Sequence, residues 1–213
     1  MNESKSYKII SIIALLLGIV GVTLGYAAFS NTLTITSSAV VRPDPSTFNI
    51  DFSSSNSAVV ADPITPTLSA NVTGFTATNA TIDNTSAPTI SNLSATFTEP
   101  GQSATYTFYA YNAGEYIGYL NSIVFSGTKT CTGRTGTTQA LVDTACNGIS
   151  LSVKVGSEAA TTTSIASITS HSLGKNGSEE VQVVISYDAG SGVADGDFDV
   201  TLPDIVLTYD SVD

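Results

Sequence analysis

Three groups of residues hold most of the chemistry that this sequence can offer. The chain's one histidine, His171, stands in ITSHSLGK. Two cysteines, Cys131 and Cys146, bracket CTGRTGTTQALVDTACNG. The stretch YDAGSGVADGDFDVTLPD contains Asp188, Asp195, Asp197, Asp199 and Asp204. Asp195, Asp197 and Asp199 alternate around Gly196, so extended backbone would present three carboxylates on one face. Calcium accepts oxygen-rich loops of this kind, but EF-hand spacing and its closing glutamate are missing. A solvated loop leading into a strand is the plainer expectation. His171 has no HExxH context and reads as a loop or edge residue. Serine is abundant, yet no G-x-S-x-G elbow occurs, and no Gly-rich phosphate loop joins a strand to a helix. Catalysis needs groups with tuned pKa values gathered in one pocket, and few candidates are present. The chain is therefore expected not to be an enzyme and to use no cofactor and no metal.

The cysteine pair reads as a disulfide closing a short Gly/Thr-rich loop in an exported chain. Two free buried thiols are the alternative. Zinc is disfavoured, because no histidine or second cysteine pair lies nearby. The formal net charge is −11 and only 12% of residues are charged, with Arg42 and Arg134 the only arginines. Phosphate binding requires clustered Lys and Arg, which excludes nucleic acid as a partner. Thr, Val, Ile, Tyr and Phe favour strands over helices. Beyond residue 40, sequons start at Asn71, Asn79, Asn84, Asn92 and Asn176. With Ser and Thr so common, they do not by themselves indicate glycosylation.

The elements that must position these residues begin with an N-terminal apolar run. Lys5 and Lys8 precede Ile9 to Leu24, which is slightly long for a signal-peptide core and slightly short for a membrane span of roughly 20 residues. Signal peptidase needs small side chains at positions −3 and −1. Cleavage between Ala27 and Ala28 supplies Gly25 and Ala27 there. An uncleaved anchor is the alternative. Beyond the cut, Phe29, Leu33, Ile35, Ala39 and Val41 fall on one side of an alternating ribbon whose other side is mostly hydroxyl. No charge appears between Lys8 and Arg42, so this strand lacks the guards of a free edge and must be covered. The cover is either its own domain or a neighbouring subunit.

The Pro-containing VRPDPST separates this strand from the body. Further alternation follows in TFNIDF, SATYTFYAY, ISLSVKV, EEVQVVISYD and DFDVTLPDIVLTYD. Gly74 reads as a kink within LSANVTGFTATNATI, and Pro100-Gly101 suits the centre of a type II turn. Thr161 to Ile168 is a doubtful helix because of its β-branched content. About nine or ten strands with turn signals imply an antiparallel two-sheet sandwich. The expected organisation is a signal peptide or anchor helix over 1–27, a free strand and linker over 28–44, and a β-sandwich over 45–213.

Two stretches, GYAAFSNTLTI and FTEPGQSATYTFYAYNAGEYIGYL, resemble the TasA/camelysin group of exported bacterial matrix-fibre proteins, with archaeal bundling pilins as more distant relatives. In that group a SipW-type peptidase cuts before an Ala-Phe pair, which Ala28 and Phe29 match. The resemblance implies a jelly-roll subunit, secreted or held at the cell surface, that polymerises with copies of itself by donor-strand exchange. Its precursor would touch the membrane only through the N-terminal segment. Some relatives have been called metalloproteases, an activity that a lone His171 does not carry over. The Lys-poor composition and the Cys loop depart from the group. The alternative is an uncleaved, membrane-anchored surface module, adhesin-like, with the first strand in its own sheet.

Overall fold

A computed structural model describes residues 48–56, 63–70, 74–84, 88–169 and 171–211. The proposed cleavage residues Gly25, Ala27 and Ala28, and the donor residues Phe29, Leu33, Ile35, Ala39 and Val41, lie outside the described residues. In chain order the strands are β1 (Ile50–Ser53), β2 (Thr67–Leu68), β3 (Thr76–Ala77), β4 (Thr81–Asp83), β5 (Thr89–Ser91), β6 (Ala95–Thr96) and β7 (Ser103–Asn112). They continue as β8 (Gly118–Ser126), β9 (Thr130–Gly133), β10 (Ile149–Val155), β11 (Ser172–Leu173), β12 (Ser178–Tyr187), β13 (Phe198–Thr201) and β14 (Asp204–Ser211). One helix, α1 (Gln139–Asn147), lies between β9 and β10.

Strand β7 shows why the sequence folds this way. In SATYTFYAYN every second side chain up to Ala110 is apolar, so Ala104, Tyr106, Phe108 and Ala110 are buried while the intervening residues face outward. The turn before it places Gly101 at φ +94°, as a type II turn requires. Antiparallel pairing gives the order β1-β7-β12-β10, with β2 also pairing with β7. Phe108 lies opposite Val181 and Ala104 opposite Ile185. A second sheet has the order β11-β8-β14. Inward-facing residues of both sheets, among them Tyr106, Val183, Leu120 and Ile123, form one apolar core. The molecule is all-β with antiparallel sheets about a shared core, the arrangement of a sandwich.

The β8–β14 pair runs on beyond a break. Ser126 is opposite Asp204, then Thr130 is opposite Thr201, so β9–β13 extends the same two-stranded ribbon past Gly127 (φ +97°) and Leu202-Pro203. The segment from Gly156 to Leu173 bridges the sheets at the other side: Thr161 pairs with Val153 of β10, then Ile165 pairs with Ile123 of β8. Thr161 to Ile168 is therefore bridging backbone and not a helix.

Two expectations need correction. The Cys loop is not irregular throughout, because it contains α1, whose Val142 and Ala145 are buried on one face. Three residues apart, they share one helical stripe, and the run QALVDTA contains good helix formers. The strands are also shorter and more numerous than expected. LSANVTGFTATNATI yields three pieces, β2, β3 and β4, with Gly74 at φ +95° between the first two. Among the described residues no helix is long and apolar enough to cross a membrane.

Candidate functional site

An apolar slot of about 670 Å³ opens between the two layers. Its floor is the inner face of the first sheet: Phe108, Val181, Val183 and Ile185, with Leu151 and Val153 alongside. One wall is β14 and the two residues before it. The other is the segment from Pro88 to Phe97, which carries β5 and β6. The slot thus separates β14 from β5–β6 where a further strand would lie in the second layer. Among the described strands, β14 pairs only with β8. Exposure follows the same geometry. Leu120 and Ile123 of β8 are fully buried, whereas Ile205 and Leu207 of β14, and Ile90, Leu93 and Phe97 across the slot, are only partly so.

Tyr106 sets the position of the second wall. Its hydroxyl, inside the core, lies 2.8 Å from the carbonyl of Thr78 and 2.7 Å from that of Ser94, and accepts from the Ser94 N–H at 3.2 Å. Gln102, also buried, secures the turn below: its Oε1 accepts from the Thr98 N–H and its Nε2 donates to Thr98 Oγ1, both at 2.8 Å.

The disulfide closes one end. Cys131 of β9 and Cys146 of α1 are bonded, with their Cα atoms 6.0 Å apart. Cys131 is the register partner of Val200, and Cys146 lies just before Ile149; Val200 and Ile149 both line the slot. The bond therefore ties two slot-lining segments together. Closing a loop of this length stabilises a fold by about 3 kcal/mol. Lys129 adds to the joint, with Nζ donating to the carbonyls of Cys146 and Ile149 at 2.6 Å each. Burial lowers its pKa, while its charge sits favourably at the C-terminal carbonyls of α1.

The three aspartates weighed as calcium ligands are engaged separately. Asp195 accepts from the backbone N–H and the hydroxyl of Thr138, at 2.9 and 2.6 Å, and so caps α1 from a distant loop. Those bonds lower its pKa. Asp199 receives Arg134, Nη2 to Oδ1 at 2.6 Å, a pairing that lowers the carboxyl pKa and raises that of the guanidinium. Asp197 contributes its carbonyl to the Arg134 N–H and to Thr137 Oγ1. Among the described residues no three His, Cys, Asp or Glu side chains converge to hold a metal.

His171 is not a bare loop residue. Its ring is largely buried between two carboxylates, Nε2 against Glu179 Oε2 and Nδ1 3.4 Å from Glu158 Oε1. Tyr209 donates its hydroxyl to Glu179 Oε1 at 2.5 Å. Glu179 lies eight residues from His171 in sequence and Tyr209 thirty beyond Glu179, and no local motif announces the grouping. Neither a protein-family model, nor a curated protein, nor a solved structure matches this chain.

Proposed function

We propose that the chain is a structural subunit of an extracellular fibre or biofilm matrix, built on a jelly-roll sandwich. After export and cleavage before Ala28, residues 28–41 of one copy enter the slot of the next. The observation that carries this reading is the apolar slot beside the side of β14 that pairs with no other described strand. A strand seated there would gain main-chain bonds worth roughly 0.5 to 1.5 kcal/mol each. Phe29, Leu33, Ile35 and Val41 would add on the order of 1.5 to 3 kcal/mol apiece on full burial. Over eight residues, β14 offers an edge of roughly 26 Å. Donation from copy to copy is head-to-tail, which propagates as a filament unless it closes into a ring. The Cys131–Cys146 bond favours an oxidising compartment, in keeping with export.

The test is a mature chain beginning at Arg42, compared with one beginning at Ala28. The shorter chain should fold, stay monomeric by light scattering, and bind a synthetic peptide of residues 28–41. Fibres formed by the shorter chain would overturn the proposal.

A further inference from the structure

The cluster around His171 has no part in that reading, and it is built with care. Four side chains from three parts of the chain meet at one end of the sandwich: Glu179 from β12, Tyr209 from β14, and Glu158 and His171 from the bridging segment. Glu179 lies on the inward face of the first sheet, opposite Ala110. Tyr209 belongs to the second sheet, opposite Leu120. Gly156 leaves the space they need. A Cβ there would lie 2.6 Å from His171 Cε1 and 2.8 Å from Glu179 Oε2, and its φ of +52° disfavours other residues in any case. Among the described residues no Lys or Arg forms an ion pair with the cluster. The ion pairs Arg134–Asp199 and Lys175–Glu115 lie elsewhere. Of the charged sequence neighbours, Glu180 accepts from Gln182 and Asp210 from Asn121, both in exposed positions.

Counting protons gives the cluster a state. Each ring nitrogen of His171 faces a carboxylate oxygen, and each contact needs one proton between its two atoms. An imidazolium between two carboxylates satisfies both contacts. So does a neutral ring with one protonated carboxyl. The two forms hold the same number of protons. Removing one more leaves a nitrogen lone pair aimed at a carboxylate in a desolvated site, where repulsion is poorly screened.

We propose that His171, Glu158, Glu179 and Tyr209 form a proton-held clasp that fastens the bridging segment to the two sheets, the His171 ring held while the shared proton stays and released when it leaves. Burial raises the Glu179 carboxyl above its usual 4.5, outweighing the opposing effects of Tyr209 and His171. Above pH 4.5 the folded chain therefore keeps a proton that the unfolded chain loses, so this contribution to stability declines as pH rises through the folded value. The direction agrees with the proton count.

Because the chain contains one histidine, its ring signals in a nitrogen-15 spectrum of the mature protein are unambiguous. As pH is raised from 4.5, loss of the proton shared within the cluster should coincide with shifts of the Tyr209 and Glu179 amides. The melting temperature should fall by about 3 °C or more over the same rise in pH. Glu179→Gln should flatten that fall, and Tyr209→Phe should reduce the coincident amide shifts. A ring that titrates while those amides and the melting temperature stay unchanged would overturn the clasp. So would a Glu179→Gln variant with the wild-type slope. If that variant does not fold, coincident or independent titration in the wild-type spectra decides the question.

Discussion

At β1, the N–H and C=O of Phe52 are both taken by the side chain of Asn84, at 3.1 and 2.7 Å, so a carboxamide stands where a neighbouring strand would pair. At β14, one side pairs with β8 along eight residues, while the other borders an apolar slot whose walls are only partly buried. An unpaired strand invites association with other chains, and proteins blunt such strands with polar side chains or coverings. The contrast teaches that one boundary of the first sheet is finished from within. The boundary of the second, among the described residues, joins a strand edge that no other strand pairs to apolar surface, the two things an added strand requires.

The largest effect on this contrast should come from filling the slot. Leu93→Trp places bulk from a partly buried wall position into the slot and not into the packed core. Fibre yield by electron microscopy should fall at least about tenfold, the equivalent of ~1.4 kcal/mol of binding, with little change in melting. Unimpaired assembly would remove the distinction between the two boundaries. Next in size, Asn84→Ala strips the finish from β1 and leaves the Phe52 backbone groups unsatisfied. It should cost about 1 to 3 kcal/mol in urea denaturation and promote irregular association visible in light scattering. Asn84→Asp, which keeps the acceptor but loses the donor, should fall between. The smallest effect should come from Asp195, exposed at the N-terminus of α1. Its depressed pKa means its contribution is present above 3.8 and lost as pH falls toward the folded value. Asp195→Asn should shallow the acid limb of the stability curve and leave the limb governed by Glu179 unchanged.

Much of the scaffold was legible in the residues themselves. Alternation in SATYTFYAYN and EEVQVVISYD identified β7 and β12, because a strand buried on one face must show period two. Pro100-Gly101 announced its turn, and the two cysteines their bond. Helix α1 was hidden by the Gly/Thr-rich residues ahead of it, which signal a loop. The slot was not legible at all. Its floor and walls come from separate stretches of the chain, around Phe108, Leu151, Val183, Leu93 and Ile205, each an ordinary apolar position in its own strand or segment. The same holds for His171, whose partners Glu158 and Glu179, the second also bonded by Tyr209, meet it where two sheets stack.

The covalent link between β9 and α1 also bears on how the molecule survives damage. The most exposed cationic side chain of this region, Arg134, lies inside the loop that the link closes, with 61% of its side chain accessible. A trypsin-like enzyme that cut after it would sever the polypeptide yet release nothing. Both fragments would remain one particle until a thiol reductant parted them.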